Sequence, residues 1–191
     1  AIFVFMSGFY GDTTVETNSM KDGYLIQNPL LNDLGFKTGD KIVSINNKTY
    51  DNLADLSYSF ITAKEAVIER DGKQIKIDFP VDFAGKLTKT QTPLIGIRSP
   101  FYVEKVADTS HNKASGLKKG DVIVGINNQQ LTYFDEFPQV LESHKNQKVN
   151  AKVLRDKDTI TLALNIDNNG MLGIEKGGSI DIFAKLGYFN V

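Results

Sequence analysis

The side chains that most often carry catalytic chemistry are few and isolated in this sequence. Its two histidines, His111 and His144, stand alone, and there is no cysteine. Neither histidine has a partner at metal-ligand spacing, so a surface position is the better interpretation of both. Ser99, Ser110 and Ser115 lie among turn residues and lack the G-x-S-x-G pattern of a nucleophilic serine. The sequence therefore predicts no catalytic residue, metal site or cofactor within this chain.

Two carboxylates recur in a fixed setting, at Gly39-Asp40 and Gly120-Asp121. The segments around them read GFKTGDKIVSINN and GLKKGDVIVGINN, in which nine of thirteen positions are identical at an offset of 81 residues. Such an offset is typical of a duplicated small domain rather than of a solenoid repeat. The two Gly-Asp pairs belong to separate copies and have no second acid nearby. We therefore interpret them as turn residues that precede a strand, not as catalytic acids.

Composition excludes two classes of protein. The chain has 191 residues and a formal charge of -1, with basic and acidic residues interspersed. It lacks the clustered positive charge of a nucleic-acid-binding protein. The absence of cysteine excludes a disulfide framework and thiolate metal ligands, and it leaves the redox compartment open.

Each copy of the repeat predicts the same order of elements. A Gly-x-x-Gly-Asp turn leads into an alternating strand, which an amphipathic helix and a hairpin follow. The fold class predicted is therefore α+β, with each unit a small, partly open barrel-like sandwich. The predicted ranges are Lys41–Asn46, Asp51–Lys64, Ala66–Arg70 and Lys73–Phe79 in the first copy, and Val122–Asn127, Thr132–Lys145, Val149–Arg155 and Thr159–Ile166 in the second.

The segments outside the two copies differ in character. Residues 1–10 carry no charge and are nearly all apolar, but ten residues are too few to cross a bilayer. They are either the end of a transmembrane helix or a buried element. The stretch from Pro80 to Pro93 is rich in Lys, Thr and Gln and predicts an exposed connector. The predicted boundaries are 1–12 for the apolar leader, 13–92 and 93–168 for two domains, and 169–191 for a C-terminal strand and amphipathic segment.

The order of elements resembles the circularly permuted PDZ domains of bacterial proteases. Leu94-Ile95-Gly96-Ile97 resembles their Φ-Gly-Φ loop, in which Φ is an apolar residue and which binds a peptide carboxylate. The string PLIGIRSP, followed by GLKKGDVIVGINN, resembles the periplasmic tandem PDZ region of RseP-like site-2 intramembrane zinc metalloproteases. The apolar residues ahead of the first copy, and the segments Leu172–Ile174 and Ile180–Phe189 after the second, favour that family over HtrA-type serine proteases.

The PDZ resemblance implies a set of peptide-binding residues in the second copy. A PDZ groove adds an extended peptide to a sheet edge, and backbone N–H groups of the loop receive its carboxylate. The helix forms the opposite wall, although its aromatic residues have an equally good interpretation as core. The peptide-binding residues implied are Ile95, Gly96 and Ile97 in the loop, Arg98 beside it, and Phe134, Phe137 and Leu141 on the helix.

The same resemblance implies three candidate functions. The first is a substrate-gating ectodomain on the periplasmic face of a bacterial inner membrane, in a protease whose zinc lies in another part of the protein. The alternatives are the PDZ pair of a periplasmic HtrA-like serine protease and a free-standing periplasmic adaptor for C-terminal tails. The partners implied are C-terminal or cleaved substrate tails and, through the flanking segments, the membrane, but not nucleic acid. We expect binding in the second copy only, because Thr13–Asn18 of the first copy has no Φ-Gly-Φ loop and carries Glu16.

Overall fold

The computed structural model describes residues 15–190, which form a mixed α and β structure. The predicted apolar leader at 1–12 and the start of the Thr13–Asn18 stretch lie outside the described residues. Among residues 15–190, no helix is both long enough and apolar enough to cross a membrane.

The described chain divides into two compact units. The first comprises the residues up to Arg98 together with Phe189 and Asn190, and the second comprises Ser99–Tyr188. The sequence placed the boundary between residues 92 and 93 instead. The difference arises because Ile95 and Gly96 pair with a strand of the first unit.

The first unit contains two small sheets and three short helices. Strands β2, β3 and β4 form an antiparallel sheet, while β1 pairs with β5. Short 3-10 helices cover Thr17–Ser19 and Phe60–Thr62. The elements are β1 (Leu25–Ile26), α1 (Pro29–Asp33), β2 (Lys41–Ile45), α2 (Leu53–Ser59), β3 (Glu65–Arg70), β4 (Lys73–Asp78), α3 (Phe83–Leu87) and β5 (Ile95–Gly96).

The second unit has one larger sheet, in the order β10-β9-β7-β6-β11, with β8 paired to β7. A 3-10 helix at Phe134–Glu136 runs directly into helix α4. The elements are β6 (Phe101–Val106), β7 (Val122–Ile126), β8 (Gln129–Gln130), α4 (Phe137–Ser143), β9 (Lys148–Arg155), β10 (Asp158–Asn165), β11 (Ile174–Lys176) and α5 (Ile180–Lys185).

The repeated strand, helix and hairpin lie within a few residues of their predicted bounds. The helices are shorter than predicted, since α2 covers Leu53–Ser59 and α4 begins only at Phe137. Pro138 occupies the first turn of α4, where its missing N–H costs no helical hydrogen bond. Ahead of the helix, the Glu136 carboxylate accepts hydrogen bonds from the backbone N–H groups of Thr132 and Tyr133.

Each Gly-Asp turn is held by an arginine that lies further along the chain. This arginine is the last residue of β3 in the first unit and of β9 in the second. Asp40 accepts two hydrogen bonds from Arg70, both of 2.7 Å, and Asp121 accepts two from Arg155, both of 2.8 Å. Both carboxylates are 1% exposed. Each arginine also donates to the carbonyl of the first glycine of its motif. The aspartates are thus structural, as the sequence predicts, but their arginine partners were not identified from it.

Candidate functional site

The predicted loop Ile95–Gly96–Ile97 belongs to the first unit. Strand β5 runs antiparallel to β1, with Gly96 opposite Leu25 and Ile95 opposite Ile26. The residues from Leu94 to Ile97 are all buried. A Φ-Gly-Φ segment between two repeats has a strand available for pairing on either side, and here it pairs with the preceding one.

Arg98 follows this loop and also lies in the first unit. Its Nη1 donates a hydrogen bond of 3.2 Å to the carbonyl oxygen of Asp22. Arg98 and the segment Ile95–Ile97 lie in the first unit, whereas Phe134, Phe137 and Leu141 lie in the second.

The three predicted helix residues have two different environments. Phe137 is completely buried and Leu141 is 7% exposed, and both belong to the hydrophobic core of the second unit. Phe134 is 36% exposed, and its ring meets Phe101 edge to face at 4.9 Å. Phe137 and Leu141 are therefore core residues, whereas Phe134 is exposed enough to contact a ligand.

A second Φ-Gly-Φ segment, Leu172-Gly173-Ile174, lies at the edge of the second unit's sheet. Ile174 pairs with Val106, and the Gly173 carbonyl accepts a hydrogen bond of 3.0 Å from the N–H of Ala107. Within residues 15–190, no strand pairs with the outer side of β11. Sequence reasoning noted this segment but did not assign it to the groove. The sequence feature that could have identified it as a groove strand is its likeness to Ile95-Gly96-Ile97.

The loop ahead of β11 is held in place by two polar side chains, of which Asn112 is buried and Ser110 is half-buried. Ser110 Oγ and Asn112 Nδ2 both donate to the Leu172 carbonyl, at 3.0 and 2.9 Å. Asn112 is 1% exposed and also exchanges two hydrogen bonds with the backbone of Asn165. Gly173 has φ +66°, and a Cβ at this position would lie 2.5 Å from Ser110 Oγ. Only glycine fits this turn without strain, because its φ is positive and the space is filled.

Helix α4 lies beside this edge strand. At one end, a Cβ placed on Gly170 would lie 3.3 Å from both the Glu142 carboxylate and the Lys145 side chain. At the other end, Lys176 reaches the ring of Phe134, which directly precedes α4. Gly173 and Ile174 between these ends are only half-buried. The second unit therefore has an unpaired strand edge, a glycine turn at its start and a helix alongside.

The corresponding strand of the first unit is anchored in a similar way but is covered. Asn28 is fully buried, and its Nδ2 donates a hydrogen bond of 2.8 Å to the Thr92 carbonyl, ahead of β5. Helix α3 packs on the 3-10 turn Phe60–Thr62 that ends helix α2. The rings of Phe79 and Phe83 lie 4.8 Å apart. The first unit thus has the motif without an exposed edge.

The first unit also contains a cavity of about 530 Å³ beside strand β2, bordered by Met20, Tyr24 and Leu56. The segment that borders this cavity, residues 16–23, is longer than the corresponding segment of the second unit, residues 100–102. The residues just before the two segments correspond, since Leu53 N–H donates to Val15 O as Phe134 N–H donates to Ser99 O. Burial raises the pKa of Tyr24 to about 12.

No cluster of three or more His, Cys, Asp or Glu side chains within residues 15–190 is arranged to hold a metal ion. The Nδ1 of His144 lies 2.8 Å from the Val140 carbonyl and 3.0 Å from Ser143 Oγ. These are local contacts at the end of helix α4.

Comparison with known proteins adds a family to this geometry. Residues 89–166 match the family model described as PDZ domain. The chain contains a PDZ domain. The matched range includes Ile95–Ile97 at its start and ends before the second Φ-Gly-Φ segment. The match supports a PDZ domain in this part of the chain, while the structure divides the matched residues between the two units.

One curated relative is described as a probable periplasmic serine protease do/HhoA-like, from Haemophilus influenzae. It is 29% identical over 128 residues, which cover 57% of this chain and 27% of that protein. The chain therefore matches only about a quarter of the relative's length. Neither comparison points to a site-2 metalloprotease, so that part of the expectation has no support from them.

Proposed function

We propose that this chain is the peptide-recognition part of an extracytoplasmic protease, built as two permuted PDZ-like units. The second unit binds the C-terminal tail of a polypeptide as an added strand on β11. The observation that carries this proposal is the Φ-Gly-Φ segment Leu172-Gly173-Ile174 on an unpaired sheet edge beside helix α4. PDZ domains bind extended peptides at such an edge.

The peptide would run antiparallel to β11 with its terminal carboxylate at the Gly173 turn. Backbone N–H groups of this turn supply the hydrogen bonds that an anion needs. Glycine at position 173 allows the turn to pack closely against Ser110. Phe134 borders the cleft from the side of helix α4. The hydrogen bonds from Ser110 and Asn112 hold the turn before the ligand arrives, which lowers the entropy cost of binding.

Ile95–Gly96–Ile97, with Arg98, is the second candidate for the carboxylate loop. The PDZ family match supports it because the matched range includes this segment. Binding there requires backbone that is now buried to become accessible. We therefore place the tail at Leu172–Ile174 and treat the earlier segment as the competing site.

The parent protein is best proposed as an HtrA-like periplasmic serine protease. The similarity to the Haemophilus influenzae relative supports this choice. A site-2 intramembrane metalloprotease, with zinc bound in another part of the protein, is the second candidate. It is favoured by one specific observation, namely that the segment Leu172-Gly173-Ile174 and helix α5 follow the second repeat. The gene sequence around this segment distinguishes them, because an HExxH motif indicates the metalloprotease and a serine protease domain indicates the HtrA-like protein.

Peptide binding is tested by titrating the isotope-labelled full chain with short peptides that end in a free apolar residue. We expect the backbone amide signals of Gly173, Ile174 and Glu175 to shift, and amidation of the peptide C-terminus to weaken the effect. Shifts confined to Ile95–Ile97 would move the site to the competing segment. No shift at either segment would overturn the proposed function.

A further inference from the structure

Lys176, the last residue of β11, has an unusual environment for a lysine. Its ammonium donates a hydrogen bond of 2.8 Å to Ser99 Oγ and lies 5.0 Å from the centre of the Phe134 ring. No carboxylate within residues 15–190 forms an ion pair with it, whereas Lys145 at the other end of helix α4 is paired with Glu142 at 2.5 Å. The residue as a whole is exposed, but its ammonium is partly shielded from water, and this partial burial lowers the pKa of Lys176.

The position of Lys176 relates it to the proposed peptide site. It lies three residues after Gly173 on the same edge strand, a distance of about 10 Å along an extended chain. A peptide that places its carboxylate at Gly173 and runs antiparallel to β11 passes Lys176 about two or three residues before its own C-terminus. The lysine side chain extends towards Phe134, on the side where helix α4 begins, and so it meets peptide side chains that point into the cleft.

We propose that Lys176 is a specificity-determining residue that selects tails with an acidic side chain about two or three residues before their C-terminus. This inference rests on the proposed function. A carboxylate at that position would give the ammonium the anionic partner that the described chain does not provide. Ser99 and Phe134 fix the direction of the ammonium, so little side-chain freedom remains to be lost on binding. An uncharged side chain leaves a shielded cation without an ion-pair partner.

The test uses peptides that are identical except for one residue. Each ends in the same free apolar residue and carries either Glu or Gln at one of the four preceding positions. Affinities for the full chain are measured by fluorescence anisotropy. We expect the Glu peptide to bind about fivefold more tightly than the Gln peptide at the second or third position upstream, and little difference at the other positions.

Variants of the chain assign this preference to one side chain. Lys176→Met keeps most of the apolar stem and should bind the Glu and Gln peptides equally. Lys157→Met, in the exposed turn between β9 and β10, is the matched control and should keep the preference. Lys176→Glu should reverse it, so that a peptide with Lys at the same position binds best.

The outcomes separate this inference from the proposed function. If peptides bind and shift the Gly173 amide but Glu and Gln are not distinguished, the role of Lys176 is wrong and the proposed function stands. The role is also wrong if Lys176→Met keeps the preference. If no peptide binds to the unmodified chain, the proposed function fails and this inference fails with it.

Discussion

The two Φ-Gly-Φ segments of this chain are alike in sequence but differ in exposure. Ile95-Gly96-Ile97 is entirely buried, whereas in Leu172-Gly173-Ile174 the glycine and the isoleucine are half-buried. The residues that flank the second segment, Met171 and Glu175, are exposed. Both segments follow the hairpin of their own unit and pair antiparallel with its first strand. The motif thus predicts the position of a strand but not whether its outer edge is free for a ligand.

The two segments that differ in exposure also differ in the length of the connection ahead of them. Sixteen residues (79–94) separate β4 from the strand β5, whereas six residues (166–171) separate β10 from Leu172. The longer connection forms helix α3, whose Phe83 and Leu87 are buried. The shorter one forms only a turn, held by Asp167. An insertion outside the repeated motif therefore distinguishes the two units more than any substitution within it.

The largest effect is expected from the feature that the two units share. Asp40→Ala and Asp121→Ala each remove a buried carboxylate that accepts two arginine hydrogen bonds and one backbone hydrogen bond. Each should lower the free energy of unfolding by about 2–3 kcal/mol. Denaturant unfolding, monitored by hydrogen exchange of the backbone amides of each unit, measures both losses of stability. A much smaller loss in one unit would show that the repeated turns are not energetically equivalent.

Replacing the buried asparagine of each unit should distinguish an effect on stability from an effect on peptide binding. Asn112→Ala removes three hydrogen bonds to backbone groups of Leu172 and Asn165, and Asn28→Ala removes the one to the Thr92 carbonyl. Each should cost about 2 kcal/mol. Only Asn112→Ala should also weaken peptide binding, because it loosens the turn at Gly173. Equal loss of affinity in both variants would contradict the placement of the tail in the second unit.

The two motif glycines should tolerate a methyl group differently. Gly173→Ala forces a side chain onto a positive φ and against Ser110, and we expect a loss of about 1–2 kcal/mol. Gly96→Ala meets only the flexible end of Gln27, with the nearest atom at 3.1 Å, and should cost less than about 1 kcal/mol. Thermal unfolding measures both variants.

A double variant serves as the control for these glycines. Adding Ser110→Gly to Gly173→Ala removes the steric contact, but the strained φ remains and the Ser110 hydrogen bond to Leu172 is lost, so the double variant should regain only part of the stability. Full restoration would mean that the positive φ does not require glycine.

We expect the smallest effect from lowering the pH, which should reduce the stability of the second unit. Burial raises the pKa of the Asp121 carboxyl, but hydrogen bonds from Arg155 and the Lys118 N–H, with the charges of both side chains, outweigh burial and lower it overall. A lowered folded-state pKa gives stability that is present above the unfolded value and lost as the pH falls through the folded one. The stability difference between the unmodified chain and Asp121→Asn should therefore shrink below about pH 4. A difference that stays constant down to pH 2 would contradict this.

The sequence determined the repeat and the elements inside it. The pattern from Gly35 to Asn47 recurs at Gly116, so each unit has the same turn, strand, helix and hairpin, with bounds close to those observed. These elements follow from local causes, namely apolar periodicity and residues that accept positive φ, such as Asn46 and Asn127. The role of the Gly-Asp pairs as turn residues was predictable for the same reason.

Only the tertiary structure decided which unit each Φ-Gly-Φ strand joins and which of the two segments is exposed. The segment Ile95–Ile97 lies between the repeats, and strand pairing there depends on contacts far along the chain that local periodicity does not record. The partners Arg70 and Arg155 were missed because each is 30 or more residues from its aspartate. The shielded ammonium of Lys176 likewise depends on Ser99, 77 residues away. Local sequence sets the conformation of a segment, whereas long-range packing sets its neighbours and its access to solvent.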